Sequence, residues 1–149
     1  EDYYLEHIVL CLSDGLLAQC GIDLDTHRGE IAAGNLSALR GCPFVLGSAE
    51  DIGGRIGRGL LRSSGVSPVS KATSENVETL LALCEQGVGA CFCPENLLHT
   101  ALSPAQLAHL HILPLCPEAS YPICFGYLSR SYPWSVLSEF IRIAREQTA

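Results

Sequence analysis

Short apolar runs alternate with segments of helical spacing along this chain. The first run, 4–12, is rich in β-branched and other apolar residues and predicts a strand. A later run contains Pro68, which places its strand at a sheet edge or entry, because proline cannot donate to a central ladder. The run with Pro68 spans 66–72, and the remaining runs predict strands at 42–47, 87–94, 111–115 and 121–129.

Helical segments separate these strands. The clearest begins at Ser74, which we expect to be its N-cap, and ends at Gly87. Its apolar residues recur at i, i+3, i+4 and i+7: Val77, Leu80, Leu81 and Cys84. The segment 13–35 is mixed, with turn residues at both ends. Other helices are predicted at about 36–40, 50–64 and 94–99, after Ser103, and in an amphipathic closing segment at 133–147.

This alternation predicts an α/β protein with largely parallel strand pairing. The chain has 149 residues, of which 48% are hydrophobic and 17% are charged. Such a chain buries a sizeable core in one compact unit or in two small lobes. In α/β sheets, ligands bind beyond the carboxyl ends of strands, at helix N-termini. The strand-to-helix turns are therefore the candidate sites.

One of these turns opens a glycine-rich stretch at 42–65. Its glycines run into Arg and Leu without the Lys of a phosphate loop. The series Gly54, Gly57 and Gly59 lies too far into the predicted helix to touch a pyrophosphate. Glu50 and Asp51 in the first turn would repel a phosphate. The stretch therefore argues against a nucleotide site.

The turn itself, Gly47-Ser48-Ala49, offers small residues, one hydroxyl and free backbone amides to a ligand. Ser48 either contacts such a ligand or caps the following helix, and the two roles are compatible.

Eight cysteines form no CxxC pair and no zinc-like cluster with histidine. Most lie in apolar runs, where a free thiol behaves as a small buried hydrophobe. We therefore expect reduced thiols in a cytoplasmic protein. Cys91 and Cys93 share one face of a predicted strand and are the candidates for a redox or metal role.

The net charge of −7 argues against nucleic-acid binding by this segment. Arg55, Arg58 and Arg62 lie at helical spacing and predict a solvated helix face. No apolar run approaches the roughly 20 residues of a membrane span, and the first residues do not resemble a signal peptide. Because the chain begins at Glu1 and contains no methionine, we expect it to be a fragment of a longer protein.

The five histidines are dispersed, and His109 and His111 lie two apart without further predicted ligands. Neither a Gly-x-Ser-x-Gly elbow nor a His-Glu-x-x-His motif is present. We therefore predict no catalytic residue, no metal site and no cofactor.

Two segments carry a family resemblance. The segment 70–97 resembles the part of LysR-type transcriptional regulators in which a strand leads to a helix, Gly-x-Gly, a buried strand and a proline. The segment 121–147 is similar to the closing strand, turn and amphipathic helix of that family. The segments 3–19 and 34–48 fit the stretch that crosses from the first lobe to the second.

The resemblance implies an effector-binding regulatory domain with the two-lobed fold of type 2 periplasmic binding proteins. Lobe two would span 29–119, and an incomplete lobe one would combine 1–28 with 120–149. The first part of lobe one and the DNA-reading helix-turn-helix would lie before Glu1. A small inducer in the interlobe cleft would re-orient the subunits of a DNA-bound dimer or tetramer.

The resemblance also implies effector contacts at three places in lobe two. The first turn would face the ligand, the next strand-to-helix turn would add donors, and the end of the 87–94 strand would line the floor. A carboxylate is the expected effector because two helix N-termini would point into the cleft, although Glu50 and Asp51 oppose it. The implied contact residues are Gly47, Ser48, Ala49, Thr73, Ser74, Phe92 and Cys93.

Two other functions remain open. A stand-alone solute-binding protein of the same fold would need a secretory signal, and reduced cysteines fit a periplasmic protein poorly. A small thiol-dependent α/β enzyme would use Cys91 or Cys93 as its nucleophile, with a nearby base and a lowered thiol pKa.

Overall fold

A computed structural model describes residues 2–128 and 134–146 of the chain. Strands and helices alternate through most of this part, as the sequence predicts. The strands are β1 (Asp2–Ser13), β2 (Pro43–Leu46), β3 (Val69–Thr73), β4 (Cys91–Pro94), β5 (Leu110–Pro114) and β6 (Ser120–Cys124). The helices are α1 (Asp14–Cys20), α2 (Leu24–Ala32), α3 (Ile52–Ser63), α4 (Val77–Glu85), α5 (Glu95–Ala101), α6 (Pro104–Leu107) and α7 (Ser135–Glu146), with a 3-10 helix at Ser37–Leu39.

The chain divides into two compact units. The larger unit is His7–Ala119, and the smaller unit combines Glu1–Glu6 with Ser120–Ala149. The second boundary coincides with the predicted end of lobe two at 119, whereas α1 and α2 lie in the larger unit. The lobe bounds of 1–28, 29–119 and 120–149 stay a prediction.

Strand pairing is mixed rather than largely parallel. The strand β2 runs parallel to β3, as predicted. In contrast, β1 is antiparallel to both β4 and β5. The chain enters the larger unit along β1 and leaves it after β5, so these strands run in opposite directions. The expectation of largely parallel pairing is wrong for this reason.

The core of the larger unit lies on both sides of β1. From Ile8 to Leu12, every residue is at most 2% exposed, because β4 and β5 flank the strand and helices cover its faces. One face carries Val9 and Cys11, which pack with residues of α4, β4 and α5. The continuous apolar run at 8–12 is therefore that of a strand buried on both faces.

Two helices of the larger unit fall in the mixed segment 13–35. Ser13 caps α1, since its Oγ accepts from Leu16 N at 3.3 Å, and Gly21 ends the helix at φ 64°. Asp23 caps α2 through Asp25 N at 3.1 Å. Both helices are short, and their caps rather than an apolar period mark them.

The smaller unit contains β6, which pairs with β1, and the amphipathic helix α7. Phe125 contacts the rings of Tyr3 and Phe140 at centroid distances of 4.7 and 5.5 Å. Val136 and Phe140 lie on the apolar face of α7 and are 76% and 55% exposed. The described part of this unit leaves the apolar face of α7 largely uncovered.

Within 2–128 and 134–146, no helix is long and apolar enough to cross a membrane.

Candidate functional site

Two strand-to-helix turns lie side by side in the larger unit. Leu46 at the end of β2 pairs with Thr73 at the end of β3, and Ser74 N donates to the Leu46 carbonyl at 3.1 Å. Because the strands are parallel, both turns lie at the carboxyl ends of the strands, on the same side of the sheet. The structure therefore brings together the predicted residues of the two turns: Gly47, Ser48, Ala49, Thr73 and Ser74.

The first turn is organised by a carboxylate. Asp51 is the N-cap of α3, and its Oδ2 accepts from Gly54 N at 2.8 Å. Ser48 lies before the cap, where its half-buried Oγ accepts from Asp51 N at 3.2 Å. Among the described residues, the Ser48 hydroxyl proton has no acceptor, so it is available to a ligand. Ser48 therefore shapes the turn, while Asp51 caps the helix.

The second turn repeats this arrangement with neutral groups. Asn76, not Ser74, is the N-cap of α4, and its Oδ1 accepts from Thr79 N at 2.9 Å. Ser74 Oγ accepts from Asn76 N at 3.1 Å. The expected Ser74 cap is wrong because the Asn76 amide reaches the helix from a position two residues closer. Thr73 is exposed at the end of β3.

The capping side chains of α3 and α4 differ in charge. The Asp51 carboxylate occupies the start of α3, where it takes up the N–H of Gly54. A neutral amide, that of Asn76, caps α4. A helix N-terminus attracts anions through its free N–H groups. Two acidic residues nevertheless lie at each helix start, Glu50 with Asp51 at α3 and Glu75 with Glu78 at α4, so the neutral cap does not by itself make α4 the better anion site.

Phe92 and Cys93 lie in the core of β4, away from the surface of these turns. Phe92 is 4% exposed and stacks on Phe44 with ring centroids 5.9 Å apart. The Cys93 thiol lies 3.6 Å from the Cys11 sulfur. Successive residues of a strand point to opposite faces, so these two side chains lie on different faces of β4. Their effector contacts stay a prediction.

The thiols of β4 lack the environment of a nucleophile. Cys91 and Cys93 are completely buried. Hydrogen bonds with Cys11 and Cys84, together with burial, raise the pKa of Cys91 well above its ordinary value. A catalytic thiol needs solvent access and a lowered pKa. The environment of these thiols therefore does not favour the thiol-enzyme hypothesis.

One polar cluster near the start of α1 is not predicted from the sequence. Asp14 at the start of α1 accepts from His111 Nε2 at 2.6 Å and lies 4.0 Å from His109 Nδ1. These side chains are exposed or half-buried, so this is a polar cluster on the surface. Over residues 2–128 and 134–146, no group of His, Cys, Asp or Glu side chains is arranged to hold a metal ion.

We expect Asp51→Ala to lower the free energy of unfolding by about 1 kcal/mol, because α3 loses its cap. Glu50→Ala is the matched control: Glu50 is exposed next to Asp51 and does not cap the helix, so its change should stay within about 0.5 kcal/mol. Urea unfolding of both variants measures the difference. Equal stabilities would show that the Asp51–Gly54 contact does not anchor α3.

Solved structures with a similar fold come from LysR-type regulators. The PA01 protein of Pseudomonas aeruginosa, assigned to the LysR family of transcriptional regulators, has a TM-score of 0.67 and 18% identity over 100% of this chain and 48% of its own. The regulatory domain of Synechocystis CcmR, in complex with 2-PG, has a TM-score of 0.67 and 12% identity over 99% of this chain and 65% of its own. The effector-binding domain of QuiR, in complex with shikimate, has a TM-score of 0.66 and 12% identity over 98% and 63%.

These identities support the fold alone. The chain spans 48% of the first protein and less than two thirds of the other two. None of the curated proteins has a sequence that matches this chain.

The family follows from the sequence itself. The sequence model of the LysR substrate binding domain matches residues 3–149. This match confirms the resemblance found in segments 70–97 and 121–147, and with it the α/β class of the periplasmic-binding-protein-like fold. The chain belongs to the LysR substrate-binding domain family.

Proposed function

We propose that this chain is the effector-sensing domain of a bacterial LysR-type transcriptional regulator and that its effector binds at the paired turns. The observation that carries the proposal is the parallel pairing of β2 and β3. It places the half-buried Ser48 hydroxyl and the exposed Thr73 hydroxyl at one edge of the sheet. Ligand sites commonly use a few such convergent polar groups next to an apolar core.

The effector is a small molecule that carries hydroxyl or carboxylate groups. Ser48 donates its free hydroxyl proton to the ligand, and Thr73 contributes a second hydroxyl. The complexes of CcmR with 2-PG and of QuiR with shikimate support a small-molecule ligand for this fold.

We expect Ser48→Ala and Thr73→Ala each to weaken effector binding about tenfold, because each removes one hydrogen bond to the ligand. The probes are small hydroxylated carboxylic acids, shikimate among them, titrated by calorimetry against the intact protein. Ser70→Ala is the matched control, because Ser70 lies on the same strand as Thr73 and bonds locally to the Ala72 carbonyl. If neither turn variant changes the affinity of an acid that binds, the proposed site is wrong.

Binding of the effector would re-orient subunits of a DNA-bound dimer or tetramer in the cytoplasm. DNA contact would come from a helix-turn-helix outside this chain, in keeping with the net charge of −7. The alternative remains a stand-alone solute-binding protein. Sequencing the coding frame upstream of Glu1 distinguishes the two: a basic helix-turn-helix there supports the regulator, and a secretory signal supports the solute-binding protein.

A further inference from the structure

Two pairs of thiols in the larger unit have sulfurs almost in contact. The sulfurs of Cys20 and Cys42 lie 3.8 Å apart, and those of Cys11 and Cys93 lie 3.6 Å apart. All four cysteines are free thiols. The pairs have nearly equal separations, so solvent access is what distinguishes their chemistry.

Of the four cysteines in these two pairs, only Cys20 is open to solvent. Cys20 is half-buried at the last position of α1, whereas Cys42 is 2% exposed just before β2. Cys11 and Cys93 are both completely buried between strands. Among these four thiols, a reagent in solution therefore reaches Cys20 first, and it does not reach the Cys11–Cys93 pair while the unit is folded.

We propose that Cys20 and Cys42 are an oxidation site that forms a reversible disulfide by exchange with a small disulfide such as oxidised glutathione. The Cys20 thiolate, after losing its proton, attacks one sulfur of the small disulfide and expels one thiolate. Cys42 then loses its proton and attacks the Cys20 sulfur, which expels the second small thiolate. Two protein thiols are oxidised, and the small disulfide is reduced to two thiols.

The environment sets the order of these steps. Burial, followed by the neighbouring Cys20 thiol, raises the pKa of Cys42 to about 12, so Cys42 stays protonated and is the second nucleophile. Since only the small thiolate fraction of Cys42 can attack, the exchange is slow, on the order of minutes to hours.

The second step needs only a short movement. A disulfide joins sulfurs about 2.05 Å apart, so the two sulfurs must approach by roughly 1.8 Å. Cys20 is the last residue of α1 and is followed by Gly21 in a left-handed conformation, where the chain turns away from the helix. The bond would tie the end of α1 to the start of β2.

The test treats the reduced intact protein with oxidised glutathione, traps thiols with N-ethylmaleimide and maps the peptides. We expect a mass loss of about 2 Da in a product whose cross-linked peptide holds Cys20 and Cys42, reversed by dithiothreitol. The disulfide should raise Tm by about 5 °C, since it restrains the unfolded chain.

Two variants give the matched comparison. Cys20→Ser removes the half-exposed thiol and should abolish the product, while Cys11→Ser disrupts the buried pair and should leave it unchanged. In the native protein, Cys11 and Cys93 should resist N-ethylmaleimide. The proposal is overturned if Cys20 ends as a stable mixed disulfide while Cys42 remains free after unfolding. It is also overturned if the oxidised product is a dimer cross-linked through Cys116 or Cys124.

Discussion

Gly54→Ala is expected to lower the free energy of unfolding by about 3 kcal/mol and to abolish effector binding at the paired turns. A Cβ on Gly54 would collide with the carbonyl oxygen of Ser48 and lie 3.0 Å from the carbonyl carbon of Gly47. Both atoms belong to the backbone of the candidate site, so a rotamer change cannot relieve the collision. The turn, the first turn of α3, or both must move.

The same contact ties the site to the helix. A Cβ on Gly47 would itself lie 3.4 Å from the Gly54 Cα, and the Asp51 carboxylate binds the Gly54 N–H at 2.8 Å. Turn and helix thus meet backbone to backbone, with the Asp51 carboxylate beside the contact. Glycine costs about 1 kcal/mol against alanine in a helix interior. The close approach explains why α3 accepts that cost at position 54.

Gly59→Ala is the matched control in the same helix. A Cβ on Gly59 has nothing within 4 Å, so alanine there should stabilise the protein by up to about 1 kcal/mol through helix propensity. Urea unfolding measures both variants, and calorimetry measures the affinity of an acid that binds the unmodified protein. Equal stability of the two variants would contradict the backbone contact at Gly54.

The sequence predicts the order of elements better than their pairing. The apolar runs locate the six strands of the described part of the chain, and the family resemblance locates the turns that become the candidate site. The apolar runs do not predict that β1 is antiparallel to β4 and β5, because a buried strand has the same apolar composition whether its neighbours are parallel or antiparallel. The helices α1 and α2 are not predicted from the sequence because α1 buries only Leu16 and α2 only Leu24 and Ile31, too few positions to show an apolar period.

The caps show a second limit. Ser74 and Asn76 are both good N-cap residues, as are Ser48 and Asp51. Which one caps depends on where the strand ends, and parallel pairing fixes that point at Leu46 opposite Thr73. In both turns the serine is held next to the strand and the later residue reaches the helix. The local sequence therefore indicates which residues can cap the helix, and the strand pairing determines which of them does.

Gly57→Ala is expected to lower the free energy of unfolding by about 2 kcal/mol, because α3 lies directly on Phe92. A Cβ on Gly57 would lie 2.6 Å from Phe92 Cγ and 2.8 Å from Cε2. The ring is 4% exposed and stacks on Phe44 with an interplanar angle of 7°, so it has little room to retreat. Gly59→Ala again controls for helix propensity.

A double-mutant cycle separates this contact from other effects of the added methyl group. Phe92→Ala alone should destabilise by about 3–5 kcal/mol through the cavity it leaves. In that background, Gly57→Ala should cost nothing or should stabilise, since its methyl group fills part of the cavity and favours the helix. Urea unfolding of the four proteins gives the coupling energy. Additive effects would mean that another neighbour excludes a side chain at position 57, whereas strong coupling would establish that glycine is required there by the Phe92 ring.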